Sequence, residues 1–285
     1  MNRVICNDKP LALKQMEFTI SEFDTRLLDQ LALLPPKEWQ SNVYELFMQN
    51  EWQPWFHAYH VVDKQKLIGF GMFSVFEENA WFGWILTHQK YRNQGIGSAM
   101  TNHLINEARK KGAKNFILTA SEMGFPIYQK LGFETSSYYH FFKFPEKFTA
   151  KQHDRSKVRI AVKSDLDAIA ALDFSATGEK RKLLIESHLN EAWVYHDEII
   201  RGYYISNLGN GLIVAENKEA GIELIKFRCR KNFRTIVVPE KNQEAINFLL
   251  NNGFEETSKC PRMILGEEPN WNQQMIFSRG TGYSG

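Results

Sequence analysis

Two glycine-containing segments in the first half of the chain have the residue types and spacing of a ligand site. The first, Arg92-Asn-Gln-Gly95-Ile-Gly97, has the pattern R-x-x-G-x-G. A hydrophobic stretch at 80–87 predicts a strand before it, and an amphipathic stretch at 98–111 predicts a helix after it. Such a turn points several backbone N–H groups into one concavity at the positive end of the helix dipole, and side chains at 95 and 97 would block it. The turn therefore predicts a site for a pyrophosphate, to which Arg92 adds a fixed positive charge.

The second segment, Tyr128-Gln-Lys-Leu-Gly132-Phe133, lies downstream of the turn. Taken alone, the turn is also compatible with an ordinary tight strand–helix connection, since the patterns G-x-G-x-x-G and G-x-x-x-x-G-K-[ST] are both absent. Taken alone, Tyr128 is also compatible with a core aromatic residue whose hydroxyl reaches the surface. The two segments together, with a predicted strand at 115–120 between them, favour a ligand site.

With these two motifs at this spacing, residues 14–144 resemble the GNAT N-acyltransferase superfamily. The resemblance implies acetyl-CoA as co-substrate, no metal, and direct transfer of the acetyl group to the amine of a small molecule within a ternary complex. It implies that the turn holds the pyrophosphate and that the strand backbone at 85–87 pairs with the pantetheine arm like an added strand. The cofactor-binding residues expected on this basis are Ile85, Leu86, Thr87, Arg92, Asn93, Gln94, Gly95, Ile96, Gly97, Ser98, Ser121 and Tyr128.

The resemblance also makes Tyr128 the expected general acid, placed at the thioester sulfur. A phenol with a pKa near 10 can hydrogen-bond to, or protonate, a sulfur whose thiol pKa is about 8.5. The general base stays open, because many family members carry a Glu on the strand before the turn, and the aligned residue here is Trp81. The candidates that flank the predicted cleft are Glu78, His88 and Glu122, with a water chain as a further alternative.

Two other positions depart from the family pattern. Ser121 and Gly124 stand where family members often have Asn and Ala. A serine hydroxyl can still donate a hydrogen bond, so the expected cofactor contact at Ser121 is weakened rather than lost. Trp81, together with a second half that lacks the cofactor motif, keeps a second function open, a non-catalytic CoA-binding sensor or assembly module on the same scaffold.

The second half of the chain resembles the same fold without the cofactor motif. Gly253-Phe254 ends a predicted helix as Gly132-Phe133 does, and the order of predicted elements recurs. Alignment on these pairs puts Ile213, Glu216, Lys218 and Leu249 where the first half has Arg92, Gly95, Gly97 and Tyr128. We interpret this half as a degenerate copy that covers the substrate cleft or replaces the second subunit of a dimer; a second active site of altered type is the alternative.

The predicted fold class is therefore α/β (α+β), with two GNAT-like domains that each contain a mixed, mostly antiparallel twisted sheet flanked by helices. The first domain, at 1–148, binds acetyl-CoA and is catalytic; a polar linker at 149–157 precedes the degenerate domain at 158–285. Further predicted elements are a strand at 14–20 and helices at 24–34, at 41–48 with Ser41 as N-cap, at 165–173 and at 179–189.

Composition restricts the remaining classes of function. The 285 residues are 43% hydrophobic and 24% charged, which is typical of globular proteins and excludes wholesale disorder. Basic and acidic residues number 16 and 15 in residues 1–150 and 19 and 18 in 151–285, so neither half offers a basic surface for nucleic acid. Three separated cysteines and the absence of a recognisable signal or an apolar span favour a reduced compartment. We expect a cytoplasmic monomer or weak homodimer without nucleic-acid or membrane partners.

Overall fold

The computed structural model describes residues 18–36, 43–145, 157–229 and 235–285, and their fold is α+β, as predicted. The described part of the first half contains these elements in chain order: β1 (Ile20–Glu22), α1 (Leu28–Leu31), α2 (Val43–Asn50), β2 (Phe56–Asp63), β3 (Lys66–Phe76), β4 (Asn79–Thr87), α3 (Ile96–Lys110), β5 (Asn115–Thr119), α4 (Phe125–Lys130) and β6 (Glu134–Lys143).

The second half repeats this order and adds one strand at its end. Its elements are β7 (Val158–Ile160), α5 (Leu166–Thr177), α6 (Lys182–Ser187), β8 (Ala192–Asp197), β9 (Ile199–Ile205), β10 (Leu212–Ala215), α7 (Lys218–Arg228), β11 (Thr235–Pro239), α8 (Gln243–Asn251), β12 (Glu255–Leu265) and β13 (Ile276–Ser278). None of the helices in the described ranges is long and apolar enough to cross a bilayer.

The strands form an eight-stranded and a five-stranded sheet. The larger sheet has the order β1-β2-β3-β4-β5-β12-β6-β11, and the smaller one has the order β13-β10-β9-β8-β7. Paired neighbours are antiparallel except β4 and β5, which run parallel. The mixed, mostly antiparallel character predicted from the sequence is therefore confirmed.

The two halves exchange strands in the larger sheet. β12 of the second half pairs with β5 of the first, β6 of the first pairs with β11 of the second, and β12 and β6 pair with each other. Met263 of β12 is buried in the core that contains α3, whereas Phe142 of β6 is buried in the core of the second half. Each half thus completes its sheet and core with a strand of the other.

The added strand β13 fills a gap in the second half. It pairs with β10, and the backbone N–H of Arg279, just after β13, donates to the carbonyl of Val237 in β11 at 2.7 Å. β13 therefore lies between β10 and β11, the two strands that correspond to β4 and β5 of the first half.

Two predicted helices are shorter than expected. The helix predicted at 24–34 is a 3₁₀ turn, Thr25–Leu27, followed by the four-residue α1, in which only Leu31 is buried and tertiary packing gives the helix little support. The helix predicted at 179–189 begins at Lys182, because Glu179 and Arg181 make buried tertiary contacts instead.

Three other predictions fall on or near residues that the structure does not describe. The strand predicted at 14–20 corresponds to β1, which begins at Ile20 where it pairs with Val61 of β2; residues 14–17 lie outside the described part. The proposed N-cap Ser41 and most of the predicted linker, residues 149–156, also lie outside it.

Candidate functional site

The paired strands β4 and β5 separate partway along their length, and we call the opening between them the fork. Their parallel pairing ends at Phe82 and Leu118. Just beyond, β4 bulges, because Met72 pairs with Gly83 whereas Phe70 pairs with Leu86, so three steps along β4 oppose two along β3. Bulging widens the fork and leaves the β4 segment 85–87, predicted to carry the pantetheine arm, paired on its β3 side.

The bulge includes a backbone conformation that is unusual for its residue type. Trp84 has φ 52°, in the left-handed region that non-glycine residues rarely adopt. Strain of this kind persists where the surrounding structure enforces it and is concentrated at functional sites. The pairing of β3 with both ends of the bulge provides that enforcement.

The turn after β4 has the geometry of an anion-binding loop. Asn93 and Gly95 have φ 63° and 84°, and α3 begins at the next residue, Ile96, whose side chain is buried and anchors the helix end. The N–H groups of Ile96, Gly97 and Ser98 belong to the first helical turn and have no acceptor within the helix. Arg92 and Gln94 are exposed beside them.

Glycine is required at the two positions of the turn for different physical reasons. Gly95 has a positive φ, and a Cβ placed there would meet nothing within 4 Å, which leaves an open cradle. A Cβ at Gly97 would lie 3.3 Å from Cδ1 of Ile127 in α4, so the turn and α4 are in close contact. The cradle, the free N–H groups and the helix end fit the pyrophosphate of a CoA-type co-substrate.

Tyr128 of α4 lies on the α3 side of the fork. Its ring centroid is 6.0 Å from that of Phe133, which is 6.4 Å from the ring of Phe82, the last paired residue of β4. The side chain is 8% exposed, and burial raises its pKa to about 12. The phenol therefore stays protonated at neutral pH and can act as a hydrogen-bond donor.

The departures at 121 and 124 have local structural explanations. A Cβ on Gly124 would lie 2.7 Å from the Tyr128 ring, so glycine makes room for that ring at the start of α4. The hydroxyl of Ser121 accepts the Gly124 N–H at 3.2 Å and supports the turn into α4. Both departures are visible in the sequence, but their structural explanations are not, because they depend on the rotamer of Tyr128.

The three base candidates lie at different distances along β4 and β5. Glu78 is exposed in the β3–β4 turn, at the opposite end of β4 from the glycine turn, and is ion-paired with Lys114. His88 follows β4, its Nδ1 accepts the Lys90 N–H at 3.2 Å, and burial with nearby lysines lowers its pKa. Glu122 is exposed in the loop after β5. The fold therefore brings His88 and Glu122, but not Glu78, to the end of the sheet that carries the turn.

A carboxylate from the second half lies beside Trp81, and sequence analysis missed it. Oε1 of Glu179 accepts a hydrogen bond from the Trp81 indole N–H at 2.8 Å. The side chain is 2% exposed, and burial raises its pKa to about 7, against the opposing effects of Arg181 and the indole hydrogen bond. The sequence places Glu179 at the start of a predicted helix, in the charged segment Gly178-Glu-Lys-Arg181, and nothing in that pattern marks it as buried. Only the unexpected Trp81 indicated that a partner was needed.

The corresponding region of the second half is closed. Asn217 caps α7 with its own side chain, which accepts the Ala220 N–H at 3.0 Å, and Glu216 is ion-paired with Arg201. β13 fills the space between β10 and β11 that would correspond to the fork. In the described residues of this half, there is neither a helix N-terminus with uncapped N–H groups after β10 nor an opening between β10 and β11. The described part of the chain likewise contains no cluster of three metal-ligating side chains.

Comparison with known proteins agrees with this two-part architecture. One family model, described as the acetyltransferase (GNAT) family, matches residues 25–133, and a second, described as an acetyltransferase (GNAT) domain, matches residues 169–278. Among curated protein sequences, none matches the chain.

Solved structures match over most of the chain. A protein from Pyrococcus horikoshii, provisionally described as an acetyltransferase, is 18% identical, with a TM-score of 0.81 over 94% of this chain and 96% of that one. A tandem GNAT protein from the clavulanic acid biosynthesis pathway is 14% identical, with a TM-score of 0.60 over 88% and 98%. A GCN5-related N-acetyltransferase from Kribbella flavida is 15% identical, with a TM-score of 0.53 over 87% and 70%. At these identities the likeness concerns the fold alone.

Proposed function

The chain belongs to the GNAT acetyltransferase family as a tandem of two GNAT domains, and from that premise we propose that it is an N-acetyltransferase. In this proposal the first half, residues 1–148, binds acetyl-CoA and transfers its acetyl group directly to the amine of a small molecule. The second half, residues 158–285, binds no acetyl-CoA and completes the first half structurally.

A single arrangement carries the proposal: the fork, the glycine turn and Tyr128 converge at one end of β4. Ile127 of α4 touches the turn at Gly97, and the Tyr128 ring packs through Phe133 onto Phe82, where the fork begins. A pyrophosphate on the turn and a pantetheine arm along 85–87 would bring the thioester into the fork beside Tyr128.

The residues of the first half have distinct roles in the proposed reaction. The N–H groups at 96–98 and Arg92 bind the pyrophosphate, and the backbone at 85–87 orients the arm. The amine nitrogen bonds to the acetyl carbon, the C–S bond breaks, and CoA leaves as a thiolate. The pKa of Tyr128 is about 12, and that of the leaving thiol is about 8.5. Full transfer of the phenol proton to the thiolate would therefore cost roughly 5 kcal/mol of free energy. We therefore assign it hydrogen-bond donation to the sulfur.

The second candidate function, a CoA-binding module without turnover, is favoured by one observation. Trp81 cannot accept a proton where family members often have a carboxylate, and among the candidate bases the nearer ones, His88 and Glu122, lie in loops. The two functions differ only in turnover, since both require the cofactor turn.

A titration followed by a turnover assay tests the proposal. Acetyl-CoA is titrated calorimetrically into the full chain, and release of the CoA thiol is then followed with glycinamide, cadaverine, glucosamine and tryptamine as acceptors. Binding with acceptor-dependent thiol release supports the transferase. Tight binding with no release above the buffer rate supports the module, and a folded chain that binds no acetyl-CoA contradicts both.

A further inference from the structure

The carboxylate beside Trp81 lies on the face of the sheet opposite Tyr128. Consecutive residues of a strand point to opposite faces, and Phe82 packs into the core that contains Tyr128, whereas Trp81 packs into the core shared with the second half. Oε1 of Glu179 is held by the Trp81 indole, and Oε2 is fully buried without a hydrogen bond to any described residue. A carboxylate oxygen buried without a partner is costly, which calls for an explanation at this position.

Glu179 is one of the residues that line a narrow cavity near the fork. The cavity is bounded by Trp81, Tyr139, Arg181, Arg262, Trp271 and Gly285, and its free volume of about 10 Å³ has room for about one water molecule. Arg262 of β12 pairs in register with Thr119, the first residue of β5 beyond the last β4–β5 pair. The cavity wall therefore includes a residue at the height where β4 and β5 separate.

The charged groups around Glu179 are mostly committed to other partners. Arg181 binds Asp173 through two hydrogen bonds of 2.6 and 3.0 Å, and its Nη1 is 3.9 Å from Oε2 of Glu179. Arg262 pairs with Glu268 through Nη1 at 2.6 Å, whereas its Nε and Nη2 are buried without a hydrogen bond to any described residue. Tyr139 of β6, the other titratable side chain of the cavity wall, is fully buried, and burial raises its pKa, so it is neutral.

The end of the described chain separates this cavity from bulk solvent. Nη1 of Arg181 donates to the carbonyl of Ser284, and Gly285 lies against the indole of Trp81. Tyr283 is 3% exposed and covers Gly83 at the start of the bulge. This segment excludes bulk water and so keeps Glu179 in a medium of low dielectric constant. A carboxyl group whose pKa lies near the ambient pH can gain and lose a proton readily.

We propose that Glu179 is the proton acceptor of acetyl transfer, an inference that rests on the proposed N-acetyltransferase function. As the N–C bond forms and the C–S bond breaks, the proton lost by the amine nitrogen passes through one water molecule in the cavity to Oε2, giving a neutral carboxylic acid that later releases the proton to solvent. Trp81 is a positioning residue, because its N–H stabilises the carboxylate form. The second half thus supplies the base that the first half lacks.

Kinetics of two variants of the full chain test the assignment. In Glu179→Gln the indole keeps an acceptor but the base is lost, so we expect kcat to fall about 100-fold and its pH dependence near pH 7 to disappear, with an unchanged Kd for acetyl-CoA. In Trp81→Phe the carboxylate loses its hydrogen-bond donor, so the pKa of Glu179 should rise. The rising part of the plot of kcat against pH should then move to higher pH, while the plateau above it is retained. A purely structural role for either residue would not move this part of the plot.

Two reactions are followed: acetyl transfer from acetyl-CoA to the best amine of the four-member panel, and hydrolysis of acetyl-CoA by water. Hydrolysis also needs a proton acceptor. Glu191→Gln, the same substitution at an exposed position of the second half, is the matched control and should behave as the unmodified chain. A folded Glu179→Gln with normal kcat and pH profile, or an unmoved rising part of the plot in Trp81→Phe, overturns the role of Glu179 and leaves the transferase intact. If the unmodified chain releases no thiol in either reaction, the transferase and the role of Glu179 both fall.

Discussion

Burial controls the ionisation of two side chains on opposite faces of the larger sheet, Tyr128 and Glu179. Tyr128 and Glu179 are both almost completely buried, and burial disfavours the charged form of each, so the pKa of both groups rises. The same physical cause has opposite chemical consequences. A phenol with a pKa of about 12 is fixed as a donor, whereas a carboxyl group with a pKa of about 7 gains and loses its proton around neutral pH.

Removal of the Tyr128 hydroxyl should affect turnover rather than binding. In Tyr128→Phe the ring still packs on Phe133, so the fold and the Kd for acetyl-CoA should be preserved, while kcat falls about 100-fold because the leaving sulfur loses its donor. Steady-state kinetics with acetyl-CoA and an active amine check this. Tyr44→Phe, which removes an exposed hydroxyl, is the control; an unchanged kcat in Tyr128→Phe would exclude the hydroxyl from the reaction.

Glu179 should also leave a signature in the pH dependence of stability. Its pKa is about 7 in the folded chain and near the ordinary glutamate value of 4.5 when the chain is unfolded, so the unfolded state loses its proton first as the pH rises. The stability contributed by the protonated form is complete below about pH 4.5 and is lost as the pH rises to 7. Relative to Glu179→Gln, the unmodified chain should lose about 3 kcal/mol between pH 4 and pH 8. Urea denaturation of both proteins measures this; parallel pH curves would contradict a raised pKa.

Among the secondary-structure elements, the helices that follow β4 and β10 differ at their N-termini. The N-terminus of α3 has free N–H groups, whereas that of α7 is capped by a side chain. α3 begins after Gly95 without a side-chain cap, whereas Asn217 caps α7 with its own oxygen. A capped N–H group no longer binds a ligand, and Glu216 adds a negative charge to an end that would otherwise attract anions. The difference between the halves therefore lies in a few residues at each helix start.

A carboxylate in the first turn of α3 should abolish acetyl-CoA binding. In Gly97→Asp a carboxylate beside the free N–H groups repels the pyrophosphate, while an acidic residue near a helix N-terminus does not destabilise the helix itself. Calorimetry should detect no binding by a variant whose circular dichroism is normal. Asn102→Asp adds the same charge on the exposed side of α3 and should bind normally; a folded Gly97→Asp that still binds would show that the turn is not the pyrophosphate site.

For the whole molecule, the exchanged strands make the two halves interdependent. Without β12, the first half exposes the unpaired edge of β5 and loses Met263 from its core; without β6, the second half loses Phe142 from its own. This architecture also puts Glu179 next to a strand of the other half. The second half thus supplies a strand, core residues and a buried carboxylate beside Trp81 to the first half.

Separation of the halves should therefore prevent folding. Residues 1–148 produced alone should aggregate or remain largely unfolded and should bind no acetyl-CoA, whereas co-production with residues 158–285 should restore a complex that binds one acetyl-CoA. Size-exclusion chromatography, circular dichroism and calorimetry of the single and paired fragments make the comparison. A monomeric, folded 1–148 fragment that binds acetyl-CoA would contradict the interdependence. Two sites in the complex would show that the second half has kept a cofactor site.

The sequence by itself determined the elements and the family. The turn at 92–97 needs glycine at 95 because of a positive φ, and hydrophobic periodicity marks the strands and helices around it. The resemblance of the motifs at 92–97 and 128–133 to the GNAT superfamily then predicted two GNAT-like domains. Local rules also predicted the loss of the glycine pair in the second half, because that loss is visible residue by residue at Glu216 and Lys218.

Only the tertiary structure decided which strands pair and which side chains meet across the two halves. Alternation of apolar residues fixes the faces of β6 and β12 but not their neighbours, so the strand exchange leaves no mark in either strand alone. The polar turn at 178–181 likewise gives no sign that Glu179 is buried against Trp81 from the other half. Burial and pKa depend on everything packed around a group, and that environment comes from residues far apart in the chain.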